Sequence, residues 1–373
     1  MDDFIAVNEP VLSGNEKDYL VRCIETGWIS SEGPAVREFE ERMARRMGRA
    51  YGVAVSNGST ALELAVRTLR LPEGSEVIMP TFTIISCAAA IVRAGLVPVL
   101  VDAEPLTWNM DVSRIAAKLT PKTGAIMVVH IYGLPTDIQP ILELAAQRQL
   151  RVVEDAAEMH GQTYRGKACG SFGDVSVFSF YPNKHITTGE GGMIMTDDAA
   201  LAEACRSLRN LSHSPRRRFV HDELGFNYRL TNLQAAVGLA QLERLDESVR
   251  KKRRIGAFYN AHFSSLPEVE LPPVKTDYAE NIYWVYGMVL SNSLDFDAEE
   301  MMSRLREMGV GTRPFFWGMH EQPVFRKMGL FAGEHYPVTE RIARRGFYVP
   351  SGLGVTEEQQ ARVAECVTRA LRM

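Results

Sequence analysis

Long apolar runs, paired cysteines and an excess of one charge are all missing from this chain of 373 residues. No uncharged apolar stretch approaches the roughly 18 residues that a membrane-spanning helix needs, so we expect no membrane partner. The opening segment, MDDFIAVNEP, is acidic where a secretory signal is basic and then apolar. We therefore expect no signal peptide.

Cysteine is sparse, and its pattern argues against a disulfide framework. The five cysteines are odd in number and include no Cys-x-x-Cys pair. Reduced, buried thiols suit the cytoplasm, where we expect the protein to work. No spacing of His, Cys and Asp suggests a metal site, so none is expected. The thiols belong to Cys23, Cys87, Cys169, Cys205 and Cys366.

The charge balance excludes another class of function. The formal net charge is -4, and charged residues make up 24% of the chain. Because nucleic-acid binders carry a basic surplus, we expect no nucleic-acid partner. An anionic ligand would have to meet positive charge that is local. The length is natural for two domains that share one site.

Short apolar segments alternate with helical patterns between residues 50 and 200. Most of these segments are near-continuous Val, Ile and Met, as in strands that are buried on both faces. The rhythm predicts an α/β fold, with a mainly parallel sheet sandwiched by helices. The predicted strands are 53–55, 77–79, 98–101, 125–129, 152–153, 175–178 and 193–195.

The pattern changes towards the carboxyl end. One long helix is predicted from about residue 232 to residue 254, and the mixed strands and helices beyond it predict a smaller α+β domain. We place the boundary near residue 250, so that 1–250 hold an amino-terminal arm and the large domain and 251–373 the small one. Near the amino end, Ser13 and Glu16 have the spacing of a capping box.

Three features fall where strands end, which is where α/β sheets bind ligands. The first is the turn SNGST at 56–60, whose backbone N–H groups at a helix start favour a phosphate; an ordinary βα turn is the alternative. The second is Asp155, whose carboxylate suits a metal, a ribose or a protonated pyridine nitrogen, or merely caps the next helix. The third is Lys184, which follows Ser179 and precedes the glycine-rich TTGEGG.

Taken in order, these features indicate pyridoxal phosphate (PLP). Its phosphate needs backbone and hydroxyl donors, and a buried carboxylate keeps the pyridine nitrogen protonated so that the ring acts as an electron sink. A lysine amine must condense with the aldehyde and later move a proton. Lysine does both because its pKa falls readily in a desolvated site. Lys184 is the predicted Schiff-base residue, although a lone lysine after a strand is usually solvated.

Segments along almost the whole chain also carry a family resemblance. They are NEPVLSGNEKDYL, TGWISSEGP, VSNGSTALELA, VIMPTFT, VVHIYGLPTDI, VVEDAAEMHG, GSFGDVSVFSFYPNKHITTGEGGMI and GFNYRLTNLQAAVGLAQLERLD. With these segments, the sequence resembles the DegT/DnrJ/StrS family of nucleotide-sugar aminotransferases, a branch of the fold-type I PLP-dependent transferases. The string Ser-Phe-x-x-x-Lys-x-x-Thr-x-Gly-Glu-Gly-Gly is highly specific for it.

The resemblance implies an activity and a set of partners. Glutamate would donate an amino group, leaving as 2-oxoglutarate, to a nucleotide-linked 4-keto-6-deoxy sugar. The expected acceptor is GDP-4-keto-6-deoxymannose, aminated at C4. The enzyme would be a homodimer with shared active sites.

The resemblance also assigns roles to single residues. The cofactor would be held by Gly58, Ser59, Asp155, Glu158, Ser179 and the catalytic Lys184. Asn227 would reach the phosphate of the neighbouring subunit. The residues near the sugar would be Trp28, Ile29, Ser30 and His320. Arg229 is suited to the carboxylate of glutamate or 2-oxoglutarate, with a structural ion pair as the alternative.

Two positions depart from the family or bear on the alternatives. Ile84 stands where many relatives stack an aromatic residue on the cofactor, so apolar packing would replace stacking. A dehydratase branch has His in place of the lysine, whereas this chain keeps Lys184. A UDP- or dTDP-sugar enzyme, a C3 aminotransferase, a sugar 3-dehydratase and a catalytically silent scaffold remain alternatives.

The arginines at 216–218 would contact a diphosphate or belong to a solvated loop.

Overall fold

The computed structural model describes residues 4–214, 216–217 and 219–373. A large α/β part precedes a smaller part that has its own sheet. The helices of the first part are α1 (Glu16–Thr26), α2 (Pro34–Met47), α3 (Gly58–Thr68), α4 (Ile85–Arg93), α5 (Gln139–Arg148), α6 (Ala199–Arg209), α7 (Asn232–Glu243) and α8 (Leu245–Phe263). Its strands are β1 (Tyr51–Val55), β2 (Glu76–Pro80), β3 (Val97–Val101), β4 (Thr123–Val129), β5 (Arg151–Asp155), β6 (Thr163–Tyr164), β7 (Lys167–Ala168), β8 (Val175–Ser179) and β9 (Gly192–Thr196).

The smaller part follows α8. Its elements are β10 (Val269–Glu270), β11 (Tyr286–Leu290), α9 (Ala298–Glu307), β12 (Arg313–Pro314), α10 (Pro323–Lys327), α11 (Pro337–Arg345), β13 (Gly346–Val349) and α12 (Glu357–Ala370). Single 3-10 turns occur at Val112–Arg114, Ala116–Lys118 and Met319–Glu321.

The central sheet has seven strands in the order β1-β9-β8-β5-β4-β2-β3. Strands β3, β2, β4, β5 and β8 run parallel, whereas β9 is antiparallel to both of its neighbours. On β4, Ala125, Met127 and Val129 join one core, and Ile126 and Val128 join the other. Both faces of the strand are therefore covered, which explains its continuous apolar sequence. The α/β fold class is confirmed.

The smaller part packs around a four-stranded sheet of order β10-β11-β13-β12. Helix α8 belongs to both parts, because Leu245 and Val249 pack in a core of the large sheet while Tyr259 and Phe263 pack in the core of the small one. The helix therefore crosses the expected boundary near residue 250. The division of the chain into two domains at that residue stays a prediction.

Two local predictions are wrong, and Arg244 lies at the site of both. The helix expected over 232–254 is two helices, α7 and α8, separated at Arg244, whose φ of -106° and ψ of 9° are not helical. Its Nη1 donates to Ser13 Oγ at 2.7 Å. Ser13 does not cap α1, whose N-cap residue is Asn15, and Glu16 Oε2 accepts from Gly14 N at 2.8 Å.

Within the described residues, every helix is too short or too polar to cross a bilayer. All five cysteines are free, and Cys366 is the one that is partly exposed.

Candidate active site

A cavity of about 620 Å³ opens at the carboxyl ends of β5 and β8, beside the start of α3. Its walls include the residues that were expected to hold a cofactor. They are Gly58, Ser59, Asp155, Glu158, Ser179 and Lys184. The parallel strands bring these positions together because their carboxyl ends meet at one edge of the sheet.

The first wall is the amino end of α3. Asn57 caps this helix: its Oδ1 accepts from Thr60 N at 2.9 Å, and Thr60 Oγ1 accepts from Asn57 N at 3.2 Å. The preceding segment is held by Ser56 N, which donates to Tyr228 O at 2.8 Å. Backbone N–H groups in a first helical turn have no partner within the helix and favour an anion.

Glycine allows β8, β9 and this turn to approach closely. A Cβ on Gly58 would lie 2.8 Å from Ser179 Cβ, and one on Gly192 would lie 2.4 Å from Asn57 O. Both distances are shorter than real Cβ contacts, so side chains are excluded there. Ser179 is thereby placed against the start of α3, where its hydroxyl and the backbone donors can share one phosphate.

The second wall is Asp155, the last residue of β5. Its carboxylate is 3% exposed and accepts from Ala157 N at 3.0 Å and from Cys87 Sγ at 3.3 Å. Burial raises the pKa of Asp155 above its usual range, while these two donors and the nearby Lys184 lower it. A buried carboxylate of this kind is stabilised by a cation, and a protonated pyridine nitrogen supplies one.

The third wall is Lys184, on a turn after β8 in which Lys184 N donates to Tyr181 O at 2.9 Å. Its Nζ lies 3.8 Å from Glu158 Oε1 and 3.7 Å from the centroid of the Trp284 ring. Burial lowers the pKa of Lys184, and the carboxylates of Glu158 and Asp155 oppose that change. The amine is therefore easier to deprotonate than an exposed lysine, as a nucleophile must be.

Glu158 completes the group of ionisable side chains. Its Oε2 accepts from Tyr132 N at 2.6 Å, and burial raises the pKa of its carboxyl to about 8. The nearby Lys184 lowers that pKa, so the charge states of the two side chains are coupled.

Several further wall residues were not predicted. Trp284, Phe316 and Tyr348 come from the smaller part of the chain. They follow no motif, and only the packing of the two parts brings them to the cavity. Ile84 also lines it, with 44% of its surface exposed, at the position where many relatives carry an aromatic residue.

Other predicted residues lie outside these walls. Arg229 donates to Asn227 Oδ1 at 2.9 Å and to Asn210 Oδ1 at 3.2 Å, and it lines a separate cavity of about 730 Å³. Trp28 and Ile29 are half exposed, at 49% and 50%. Their roles stay predictions that depend on a second subunit.

Ser30 and His320, which were also expected near the sugar, have hydrogen-bond partners within this chain. Ser30 O accepts from Asn232 N at 3.0 Å, next to the start of α7. His320 is 2% exposed, and its Nδ1 and Nε2 lie 3.0 Å from Thr81 Oγ1 and from Glu340 Oε1. Both of its ring nitrogens are therefore used within the chain, and its contact with a sugar stays a prediction.

Three groups that could ligate a metal also come together, although no metal site was expected. Ligand atoms of His130, Glu154 and Cys169 lie within 4.8 Å of one another. His130 Nε2 is hydrogen-bonded to Glu154 at 3.0 Å, and the Glu154 carboxylate also accepts from Gly170 N and Phe172 N at 2.6 and 2.8 Å. These bonds satisfy the carboxylate, so we interpret the cluster as structural.

The predicted basic loop is described only in part. Arg216 and Arg217 are exposed, whereas Pro215 and Arg218 lie outside the described residues. The proposed diphosphate contact stays a prediction.

The cavity fits PLP in each of its chemical parts. The start of α3 with Ser179 suits the phosphate, Asp155 suits the pyridine nitrogen, and Lys184 suits the aldehyde. Because Gly58 and Gly192 have no side chains, the backbone N–H groups at the start of α3 remain accessible to an anion.

Comparison with known proteins agrees with this geometry. The model of the DegT/DnrJ/EryC1/StrS aminotransferase family matches residues 10–368. A GDP-perosamine synthase from Caulobacter vibrioides is 41% identical over 367 residues, and one from Escherichia coli O157:H7 is 40% identical over 366, each match covering 98% of both chains. The crystal structure of the aminotransferase TlmJ from Streptoalloteichus hindustanus superposes with a TM-score of 0.91 at 30% identity, over 99% of both chains. The chain thus belongs to the DegT/DnrJ/EryC1/StrS aminotransferase family and is a PLP-dependent enzyme.

Proposed function

We propose that this enzyme transfers an amino group from glutamate to C4 of GDP-4-keto-6-deoxymannose and so makes GDP-perosamine. The observation that carries the proposal is the cavity in which Lys184, Asp155 and the start of α3 meet. Two GDP-perosamine synthases that match the chain almost from end to end supply the nucleotide and the sugar.

The side chains of the cavity divide the work. When bound, PLP supplies an electron sink for negative charge at the carbon that carries the amino group. Asp155 holds the pyridine nitrogen in its protonated form, and the start of α3 binds the phosphate. Lys184 Nζ removes the proton from that carbon and returns it one position away, first with glutamate and then with the keto-sugar.

The outer part of the cavity suits a sugar. Tyr181, half exposed at 50%, lines the same cavity as Phe316 and Tyr348. Aromatic faces bury the apolar faces of sugar rings and exclude water from the reacting carbon. We assign these rings to the acceptor, in the cavity that also holds Lys184.

The proposal is tested by replacing the lysine. Lys184→Ala should lose the visible absorbance of lysine-bound cofactor and all amino transfer, because it removes the one lysine among the described residues that line the cavity. Products are identified by mass and NMR after incubation with glutamate and a panel of GDP-, UDP- and dTDP-keto-sugars. The exposed Lys122 provides the matched control, and Lys122→Ala should behave as wild type.

The same panel decides among the alternatives. Turnover by Lys184→Ala would refute the role of the lysine. A UDP- or dTDP-linked product, or amination at C3, would refute the proposed acceptor while leaving the PLP chemistry intact. A protein that stays colourless with added PLP would instead be a silent scaffold.

We further propose a homodimer in which each subunit completes the site of the other. Ser30 lies against the start of α7, and Trp28 and Ile29 beside it expose apolar surface close to the segment that carries Asn227 and Arg229. A second copy would cover this surface and receive these polar side chains at its phosphate site.

Mixed dimers test the shared site. Lys184→Ala and Asn227→Ala should each be impaired alone. When the two variants are coexpressed, one site of a mixed dimer has both defects and the other has neither, so activity should return to about a quarter of wild type. No recovery in mixed dimers isolated by two affinity tags would show that Asn227 serves its own subunit.

A further inference from the structure

Trp284 connects the smaller part of the chain to the active-site lysine. The residue precedes β11, is 5% exposed and lines the cavity. Lys184 Nζ lies 3.7 Å from the centroid of its ring, and the indole Nε1 donates to Asn183 O at 2.9 Å. One side chain therefore contacts both the amine of the lysine and the turn that carries it.

The position of this ring is determined from several sides. Lys252 Nζ, on α8, donates to Trp284 O at 2.7 Å. The ring packs on Tyr132 with centroids 6.0 Å apart, and a Cβ on Gly133 would lie 2.5 Å from Trp284 N. Contacts from both parts of the chain thus hold the ring face towards the lysine.

The contact favours one charge state of the amine. A tryptophan face attracts an ammonium within about 6 Å of its centroid, more strongly when water is excluded, and it does not attract the neutral amine. Among the residues that the structure describes, Lys184 also interacts with the carboxylates of Glu158 and Asp155 and with the imidazoles of His160 and His185.

None of these other groups replaces the contact between the Trp284 ring and the ammonium of Lys184. Burial lowers the pKa of His185 to about 3 and that of His160 well below its usual range, so neither imidazole competes as a cation. Glu158 Oε1 is 3.8 Å from Nζ, beyond hydrogen-bond distance. The face of Trp284, whose centroid is 3.7 Å from Nζ, therefore stabilises the ammonium alongside the carboxylates.

We propose that Trp284 is a positioning residue for Lys184, holding its protonated amine over the indole face whenever the lysine is not bonded to the cofactor. The inference depends on the proposed function, in which the lysine is released and carries a proton in both half-reactions. Through Trp284, the smaller part of the chain participates in the proton transfer.

The charge state of the released lysine gives a readout that is separate from turnover. The PLP-loaded enzyme is treated with excess glutamate so that Lys184 is free, and its labelling by trace acetic anhydride is followed by peptide mass spectrometry across pH. In Trp284→Leu the labelling midpoint should fall by about 0.5 to 1.5 pH units, because the charged amine loses its partner. Trp284→Phe keeps a ring face and should fall by less.

A matched control is available in the same part of the chain. Arg304 lies over the Phe296 ring at 4.0 Å, away from the cavity, so Phe296→Leu removes a similar contact and should leave the Lys184 midpoint unchanged. If Trp284→Leu does not fold, biosynthetic fluorination of tryptophan weakens the ring face at nearly constant volume. The midpoint should then fall progressively with the number of fluorine atoms.

The outcomes separate this inference from the function on which it depends. A wild-type protein that binds no PLP, or whose lysine is not released by glutamate, would refute the proposed function. A wild-type enzyme that works, beside a folded Trp284→Leu variant whose midpoint is unchanged or higher, would refute the role of Trp284 alone. An unchanged midpoint across the fluorinated series would refute it as well.

Discussion

At the residue scale, the site is a balance among three buried ionisable groups. Burial raises the pKa of Asp155 and of Glu158 and lowers that of Lys184, because a charge is poorly solvated there. Each shift is opposed by the opposite charge of a neighbour. The resulting carboxyl pKa of about 8 for Glu158 lies near neutral pH, where a proton can be given and taken with little driving force.

The thiol of Cys87 should strengthen the hold of Asp155 on the cofactor. Cys87 Sγ donates to Asp155 Oδ2 at 3.3 Å, and it is fully buried. Cys87→Ala removes this donor from a buried carboxylate, so kcat/KM should fall about 5-fold, and the pH midpoint of the cofactor absorbance should shift. Cys87→Ser restores a donor and should recover most of both quantities in steady-state assays and pH titrations.

Cys205 provides the control for this experiment. It is another buried thiol, 3.6 Å from Thr68 Oγ1 and away from the cavity. Cys205→Ala should leave the absorbance midpoint in place. If Cys87→Ala kept the wild-type absorbance midpoint and kcat/KM, the thiol would contribute to packing and not to the function of Asp155.

Site residues that lie in local motifs were predictable from the sequence, whereas those that reach the site through packing were not. Lys184, Asp155 and Ser179 stand at strand ends within short strings, so local sequence indicates them. Trp284 and Cys87 follow no such string, because their contacts to the site arise from chain segments far away in sequence. A buried tryptophan or cysteine is usually core, and only its neighbours in space show a role.

At the element scale, the strands of the central sheet were predictable because most of their residues are buried on both faces, as on β4. The order and direction of the strands were less predictable: β9 lies between β1 and β8 and runs antiparallel to both. The continuous helix over 232–254 and the Ser13–Glu16 capping box were wrong, and α1 has Asn15 as its N-cap residue. Arg244 interrupts the helix and binds Ser13, a contact between distant segments that helical period does not reveal.

The start of β9 should control the anion site through its glycine. A Cβ on Gly192 would lie 2.4 Å from Asn57 O and 2.9 Å from Gly58 N, both backbone atoms that cannot turn aside. Gly192→Ala should therefore move the start of α3 and weaken PLP binding by on the order of 10- to 100-fold. Absorbance titration of PLP into the cofactor-stripped protein measures this change.

A second glycine tests whether the effect is local. At Gly124, on β4, an added Cβ would meet the flexible side chain of Leu71 at 3.2 Å and Ser75 Cβ at 3.5 Å, an ordinary contact distance. Gly124→Ala should bind PLP as wild type does. Equal weakening by both variants would mean that the sheet as a whole had been loosened.

At the scale of the whole molecule, the cavity belongs to both parts of the chain. The large sheet supplies the groups that bind the cofactor, whereas Trp284, Phe316 and Tyr348 close the cavity from the smaller part. The sequence predicts the two parts from their different patterns. The length suggests that they share one site, but the sequence does not predict which side chains of the smaller part reach it, because no periodicity encodes the packing of one part on the other.

Lys252 should make the joint between the two parts depend on pH. From α8 its Nζ donates to Trp284 O at 2.7 Å and also bonds Ser351 O, and burial lowers its pKa from 10.5 to about 7. Below pH 7 the amine is charged in the folded and unfolded states alike. Between pH 7 and pH 10.5 the unfolded state binds the extra proton, so the free energy of unfolding should rise with pH.

Comparison with Lys252→Met, which cannot titrate there, isolates this contribution. The free energy of unfolding in urea, wild type minus variant, should be level below pH 7 and rise by up to about 1.4 kcal/mol for each pH unit above it. The same difference for the exposed Lys122→Met should stay flat. A level difference for Lys252→Met from pH 6 to pH 9 would mean that the buried amine keeps its proton. The two carbonyls would then bind an ammonium, and the joint would not depend on pH.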